Sequence, residues 1–324
     1  MSTTRHFVIR RKWMTTPDVA AFELTPADDL AVPDIEPGAH VEFMIERAGQ
    51  PPLVRHYSLC NGPGESDAFV FGIKLEPQSR GGSSWIHTLQ EGQTVRLGAV
   101  RNLFPLNKSA KRHLLLAGGI GITPVLAMAQ SLEASAADYQ LHYFVRGQEH
   151  VAFRERLLRT QVGGRLRIHE GLDAAGVRRV LDELLAQPAV GDHAYCCGPG
   201  FFMDTVDEVA KATHWPEDHV HFERFQAAPV AAGVVDEAFD VELKRSGTRC
   251  RVQPGQTIIQ VLADAGCEVM TSCEQGVCGT CLTNVLAGTP DHRDAYLSKT
   301  EREAGKLILP CVSRSKTPLL VLDL

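Results

Sequence analysis

The 324-residue chain lacks the features that mark several classes of protein. Its apolar runs, such as 114–117 and 319–322, fall far short of the ~18 residues that a membrane span needs. The opening segment, MSTTRHFVIRRKW, holds no apolar stretch and no small-residue cleavage site, so export is not expected and a cytoplasmic location is. Neither sign of charge dominates. With 33 Lys and Arg against 39 Asp and Glu, and a pI near 6.1, the chain has no basic footprint for nucleic acid or a membrane surface. No repeat of 20–50 residues is visible, and no low-complexity tract exceeds a short linker. What remains is an ordinary globular composition, 44% hydrophobic and 22% charged, long enough for two or three domains. Cysteine is what the chain has in excess. Nine thiols without an export signal point away from disulfides and toward metal or redox chemistry.

Patterning divides the chain in three. Residues 1–108 alternate apolar and polar at 6–14, 19–24, 41–46, 56–61, 69–75 and 94–97, with turn clusters between and one short helix at 83–89. An antiparallel β-barrel is expected there. From about 109 the pattern becomes strand then helix: strands at 113–117, 140–145, 165–170, 193–197 and 219–223, helices at 124–132, 152–161, 177–187 and 201–211. Helices of this length between strands imply an α/β domain with a parallel sheet and right-handed crossovers, a nucleotide-binding architecture, to residue 228. The segment AAPVAAG begins a linker, placed at 229–237. A third domain, 238–324, starts with strands at 239–244 and 249–252 and a helix at 257–265, and closes on an apolar strand at 319–324.

Four cysteines in that third domain, Cys273, Cys278, Cys281 and Cys311, have the plant-type [2Fe–2S] spacing C-x4-C-x2-C followed by a distant cysteine. Three thiolates on one short loop must wrap a small iron–sulfide diamond, and Gly276 and Gly279 stand where the backbone has to bend. Neighbouring N–H groups can then reach the sulfurs. A four-cysteine zinc site is the alternative, but it usually uses two separate C-x2–4-C knuckles. The other five cysteines are scattered.

HLLLAGGIGITP runs from a strand into Gly118, Gly119 and Gly121, then into a helix opened by Thr123 and Pro124. Glycines let the backbone approach a pyrophosphate, and the helix start offers N–H groups and a positive dipole end. Such a loop alone is equally well a tight turn. A second loop, Cys196–Cys197–Gly198–Pro199–Gly200, ends another strand of the same sheet, so both face one crevice. Cys197 is the candidate for nicotinamide contact, and Cys196 for packing, against the reading that both are small buried residues. Earlier, Arg55–His56–Tyr57–Ser58 lies on a barrel strand: arginine can pair with phosphate, tyrosine can pack on a flat ring, serine can hydrogen-bond a ring nitrogen. Arg55, Tyr57 and Leu59 share one face, His56 and Ser58 the other. In isolation this could be any half-buried strand. The histidines outside this segment, among them His214, His219, His221 and His292, read as surface or satisfied strand residues.

Together, RHYSLCN, GGIGITP, CCGPG and CEQGVCGTC resemble the phthalate dioxygenase reductase family, flavin reductases of the ferredoxin–NADP reductase superfamily with an added C-terminal ferredoxin domain. The resemblance spans nearly the whole chain. It implies FMN in the barrel, NADH on the α/β domain, and a plant-type cluster in an α+β β-grasp ferredoxin domain. By position it places flavin contacts on Arg55, His56, Tyr57, Ser58, Gly72, Ile73, Lys74 and the phosphate loop Arg80–Gly81–Gly82–Ser83, with Thr123 and Phe225 bridging toward the ring. An arginine-bound terminal phosphate favours FMN over FAD. His56 departs from the family, which usually has other residues there, including threonine, and Gln226 stands where glycine is common. NADH rather than NADPH follows mainly from the family, since Arg146 has no second cation beside it and Glu149 opposes a 2′-phosphate. The implied activity is an oxygenase reductase: hydride from NADH, with Ser58 orienting the ring and Cys197 at the nicotinamide, then single electrons through the cluster to a Rieske-type terminal oxygenase acting on an aromatic acid or similar molecule. Alternatives are an FAD-dependent reductase of another hydroxylase, or a ferredoxin-like carrier whose upstream domains bind nucleotide only as a regulator. Residues 238–324 carry ten cations and ten anions, so charge balance does not point to a docking face. The sequence leaves the oligomeric state open, with a monomer as the simplest expectation.

Overall fold

A computed structural model describes residues 4–324 except 29, 48–49, 160–163 and 228–235. It divides into two compact units, Met1–Glu223 and Arg224–Leu324. The expected linker 229–237 falls almost wholly outside the described residues.

The first unit opens with six strands: β1 (Arg5–Thr16), β2 (Val19–Pro26), β3 (Ala39–Arg47), β4 (Gln50–Ser58), β5 (Phe69–Lys74) and β6 (Thr94–Asn102). They pair antiparallel in the order β4-β3-β6-β1-β2-β5. An antiparallel bridge from Leu59 to Phe71, with Cys60 N–H on the Val70 carbonyl at 2.8 Å, links the two edges into a barrel. Inward positions of alternating strands fill it: Val41, Phe43 and Ile45 of β3 are buried among Phe22, Phe71 and Leu97. β4 starts six residues earlier than the pattern indicates because two prolines, Pro51 and Pro52, mask it. Proline cannot donate to a ladder, but β4 is an outer strand of the sheet order, where that donor is not required. The lone barrel helix, α1 (Gly82–Thr88), follows Gly81, whose φ of 94° only glycine adopts without strain.

Next come β7 (Arg112–Gly118), α2 (Ile122–Ala134), β8 (Tyr139–Val145), α3 (Arg154–Arg159), β9 (Leu166–Glu170), α4 (Ala174–Leu184), β10 (Asp192–Cys197), α5 (Gly200–Ala212) and β11 (Val220–Glu223). All five strands are parallel, in the order β11-β10-β7-β8-β9. β7 and β10 are covered on both faces, which explains their continuous apolar runs. α3 begins only at Arg154, two residues later than expected, because Phe153 holds φ at 55°. The order reverses between β7 and β10. That switch point is where a doubly wound sheet opens a crevice beyond its carboxyl ends.

The second unit contains β12 (Phe239–Leu243), β13 (Arg249–Val252), α6 (Ile258–Asp264), β14 (Thr283–Ala287), β15 (Pro290–Asp291), α7 (Lys299–Ala304), β16 (Leu307–Ile308), β17 (Arg314–Ser315) and β18 (Leu319–Leu322). Its mixed sheet has the order β13-β12-β18-β14-β16, with β12 and β18 parallel at the centre. α6 is held by a capping box between Thr257 and Gln260, and Ile258 and Leu262 bury against the sheet. The strands β14 to β17 and helix α7 carry no strong periodicity and were not expected from sequence.

Candidate functional site

In the first unit the two glycine loops meet at the switch point. A Cβ on Gly118 would lie 2.9 Å from Pro199 Cδ and 3.4 Å from Gly198 Cα, while one on Gly121 would strike the Cys197 carbonyl and lie 2.7 Å from Gly198 N. Only glycine permits this approach. The first turn of α2 has no acidic residue and no side-chain cap, so its N–H groups and dipole are left to an anion. Gly119, with φ of 53°, has open space beyond its Cα.

Barrel residues come to the same place. A Cβ on Gly72 would lie 2.9 Å from Thr123 Cγ2 and 2.5 Å from the Phe153 ring, so β5 and the start of α2 touch there. Thr123 is buried and donates to the Ile120 carbonyl at 3.0 Å. Ile73 is buried, its carbonyl 2.8 Å from His87 Nε2, and Lys74 pairs with Glu76 at 3.1 Å. The Arg55 side chain lies over Gly82, where a Cβ would sit 2.9 Å from Arg55 Cγ and 3.2 Å from Nε. Thus the guanidinium and the Arg80–Ser83 loop share one spot at the start of α1. Ser83 accepts from Glu76 N–H at 3.2 Å, and no acidic side chain occupies the first turn of α1. Tyr57 packs edge-on against Phe43, 5.2 Å between centroids, and burial pushes its phenol up.

The centre of the site holds a residue that the sequence reading missed. Glu223, the last residue of β11, accepts a hydrogen bond from Ser58 Oγ at 3.1 Å and pairs in register with Cys197. Burial raises its carboxyl to about 8, against the lowering effect of the Ser58 hydrogen bond. The carboxyl therefore keeps its proton at neutral pH. Cys197 is fully buried, and desolvation, with Glu223 next, pushes its thiol well above the ordinary value. Hydroxyl, carboxyl and thiol thus adjoin the meeting point of the glycine loops. The only sequence signal for Glu223 is an acid closing the strand HVHFE at the same sheet edge. His56 turns away from this group: its ring stacks on His40 at 4.9 Å and lies 3.8 Å from Glu42 Oε1. Arg146 faces Asp18 at 3.4 Å, and Glu149 lies 3.5 Å from His150. Phe225 lies just past this unit, at the start of the second, and is 38% exposed.

In the second unit Cys273, Cys278, Cys281 and Cys311 are all buried, and no disulfide joins any of the nine cysteines. The sulfurs face each other in two hydrogen-bonded pairs, Cys273 with Cys278 and Cys281 with Cys311. In each pair the mutual hydrogen bond pushes one thiol down, Cys278 and Cys281, and its partner up. Among the described residues, no three Cys, His, Asp or Glu side chains converge on a point suited to a single metal ion. Two pairs fit two irons bridged by sulfide, and do not fit one tetrahedral zinc. The cradle agrees. Gly276 and Gly279 have φ of 72° and 71°, and a Cβ on Gly276 would lie 2.6 Å from Val312 Cγ2 and 3.1 Å from Asp294 Cα. Backbone N–H groups turn inward: Gln275 N–H reaches Cys273 Sγ at 3.3 Å, and Gly276 N–H bonds Cys311. Asp294, buried, anchors the loop's neighbour by accepting from the N–H groups of Tyr296 and Leu297 at 3.1 and 2.8 Å.

Comparison with known proteins fits both halves. Residues 241–316 match the family model of the 2Fe-2S iron-sulfur cluster binding domain, and 97–220 match that of the dimethylamine monooxygenase subunit DmmA-like N-terminal domain. The phthalate dioxygenase reductase of Burkholderia cepacia is 39% identical over 311 residues, covering 95% of this chain and 93% of that one. The chain belongs to the phthalate dioxygenase reductase family. A vanillate O-demethylase oxidoreductase of Pseudomonas putida is 44% identical, covering 95% of this chain and 96% of the relative, whereas the chain spans about half of the longer Oxidoreductase NdmD of the same species. A solved phthalate dioxygenase reductase, described as a modular structure for electron transfer from pyridine nucleotides to [2Fe–2S], superposes with a TM-score of 0.76 at 38% identity over 99% of this chain and 98% of that one. This family member is an NADH-dependent oxidoreductase with FMN and a [2Fe–2S] cluster as cofactors. Its expected fold, a flavin barrel, a parallel α/β sheet and a ferredoxin domain, is the one observed. Among the described residues no helix is long and apolar enough to cross a membrane.

Proposed function

We propose that this reductase hands electrons from NADH to the Rieske-type terminal component of a two-component oxygenase acting on an aromatic acid or a similar small molecule. One observation carries the reading: a paired four-thiol cradle belongs to the same chain as a hydroxyl–carboxyl–thiol group at the crossing of two glycine loops. Bound FMN supplies the chemistry that joins a two-electron donor to a one-electron acceptor.

The chain's own residues do the rest. Arg55 and the Arg80–Gly81–Gly82–Ser83 loop hold the flavin phosphate, through a guanidinium and the N–H groups of α1. Tyr57 offers an apolar ring, His56 stands on the neighbouring face, and Gly72, Ile73 and Lys74 present backbone along β5. Gly118, Gly119 and Gly121 admit the pyrophosphate to the start of α2, with Thr123 at its opening. Cys197, Gly198 and Pro199 wall the nicotinamide side, where the un-ionised thiol adds bulk without charge. Ser58 orients the ring through its hydroxyl, and the protonated Glu223 behind it can give its proton to Ser58 Oγ as that hydroxyl gives up its own, and takes one back in the reverse direction once ionised. Ser58 and Cys197 are the catalytic pair. Phe225 is assigned to the flavin by its position in the family motif. Cys273, Cys278, Cys281 and Cys311 hold the cluster. The domains are 1–108, 109–228 and 238–324 with a linker at 229–237, and the protein works as a cytoplasmic monomer. The relatives support an oxygenase as partner, through the phthalate dioxygenase and tert-butanol monooxygenase systems to which two of them belong.

An anaerobic NADH titration of purified holoprotein, with the flavin extracted and identified, tests the reading. Three electrons should enter, two on FMN and one on the cluster, and a purified Rieske-type oxygenase component should be reduced in turn. FAD in the extract, uptake of two electrons only, or an unreduced Rieske centre would overturn it.

A further inference from the structure

NADH gives up a hydride, two electrons and one proton together, whereas an iron–sulfur cluster carries electrons alone. Each NADH oxidised therefore leaves one proton in the site. Glu223, which meets the site through Ser58, keeps only 11% of its side chain exposed. Behind it the barrel holds a row of ionisable side chains that nothing in the hydride or cluster chemistry uses. His40 Nδ1 lies 3.9 Å from Glu223 Oε1. The His40 ring stacks on His56, 4.9 Å between centroids at 18°. His56 Nε2 lies 3.8 Å from Glu42 Oε1, and the same oxygen lies 3.5 Å from Arg101 Nη2, whose side chain is 37% exposed.

Register explains the row. His40 pairs with Ser58 and Glu42 with His56 across β3 and β4, while Arg101 pairs with His40 across β3 and β6. The alternate β3 positions, Val41 and Phe43, fill the barrel core, so the four side chains line the opposite face. Three of them are nonetheless buried or nearly so, at a cost that a purely structural face would avoid. A Cβ on Gly98 would lie 2.5 Å from Glu42 Oε2, so the carboxylate occupies space that only glycine leaves open.

We infer that His40, His56 and Glu42 form a proton outlet from Glu223 to solvent at Arg101, a role that rests on the reductase reading above. In each step one bond to hydrogen breaks and one forms. The Glu223 O–H passes its proton to His40, His40 passes one to His56, and His56 Nε2–H passes one to Glu42, which releases it to water beside Arg101. No electrons move in this row. The Glu223–His40 and His56–Glu42 gaps exceed hydrogen-bond length by about 1 Å, within reach of side-chain rotation, and the stacked His40 and His56 rings exchange a proton only once one ring turns edge-on to the other. The groups facing His56 set its resting state: burial lowers it to about 4, Glu42 from β3 opposes this, and Arg101 from β6 and Arg55 from β4 reinforce it. His56 thus rests neutral and carries a proton only in passage.

The test needs no turnover. Oxidised holoprotein is moved into D2O at pH 7, and the C=O stretch of the protonated Glu223 carboxyl, assigned by its loss in Glu223→Gln, is followed by infrared spectroscopy. Exchange should finish within the mixing time in the parent protein. It should slow at least tenfold in His56→Thr and in His40→Leu, and added imidazole should restore it in His56→Thr. Threonine is a residue the family resemblance allows at position 56, and an unchanged circular dichroism spectrum and cluster absorbance verify its fold. Equal exchange in parent and both variants, or no protonated carboxyl assignable to Glu223, would overturn the outlet. Failure of the reductase reading shows separately, as flavin and cluster left oxidised by NADH.

Discussion

Cysteine does opposite work in the two units. At the end of β10, Cys196 and Cys197 sit in a regular strand with no exposure, and burial keeps the Cys197 thiol protonated. Cys273, Cys278, Cys281 and Cys311 also lie buried, but each has a second thiol beside it, and Cys278 and Cys281 are pushed down while their partners are pushed up. The difference lies in the backbone. A strand spends its N–H groups on neighbouring strands, whereas a loop with glycines at φ near 70° turns them toward sulfur. A buried thiol becomes a ligand when the chain around it has donors to spare.

Four experiments would break or sharpen this contrast. The largest effect is expected for Cys278→Ser: the [2Fe–2S] absorbance and electron paramagnetic resonance signal should vanish and NADH–cytochrome c reduction fall at least 100-fold, while flavin-level ferricyanide reduction persists. Cys196→Ser should leave both signals in place. Cluster retention in Cys278→Ser would remove it from the ligand set. Next comes Gly121→Ala, whose new methyl group meets the Cys197 backbone. We expect kcat/KM for NADH to drop more than tenfold, with about 1–3 kcal/mol lost in urea unfolding of the first unit. An unaffected enzyme would show that the two loops have room between them.

The third concerns Glu223. A carboxyl with its folded value raised from 4.5 to about 8 holds a proton that the unfolded chain has lost, so its contribution is full below pH 4.5 and disappears as pH rises through 8. Glu223→Gln removes that slope. Relative to parent it should gain about 3 kcal/mol of first-unit stability between pH 4.5 and pH 7, measured as paired urea transitions. Parallel pH profiles would mean that Glu223 is ionised in the folded protein. The smallest effect runs in the opposite sense. Desolvation lowers His142, whose ring bonds His169 at 3.0 Å, to about 3. Here the unfolded chain binds the extra proton, so stability is full above pH 6.5 and is lost as pH falls toward 3. His142→Leu should spare the first unit about 2 kcal/mol of the loss between pH 7 and pH 5. An identical acid loss in the variant would place the sensitivity elsewhere, for example at His56 and His221, both lowered to about 4.

Legibility followed periodicity. The runs Leu114–Ala117 and Ala194–Cys197 announce strands buried on both faces, and their glycine endings mark the crevice. The C-x4-C-x2-C spacing is local, so the cradle is visible without any tertiary information. β14 through β17 are not, because strands of two to five residues carry too few side chains to show a period of two. Glu223 and His40 escape notice for another reason. Each is a single polar residue on an ordinary strand, and only the meeting of β3, β4 and β11 shows that they face Ser58. The proton chemistry is long-range in sequence, whereas the metal chemistry is short-range.

The parallel pairing of β12 with β18 has a consequence for biogenesis. All four cluster cysteines, from Cys273 to Cys311, lie in the stretch of chain between these two central strands. During synthesis β12 waits for a partner about 80 residues downstream, and Cys311 is made long after Cys281. A nascent chain made only as far as Cys281 offers three cysteines on a loop with neither Cys311 nor β18 behind it. The complete ligand set therefore requires the chain through Cys311, and the sheet behind the cradle requires it through β18.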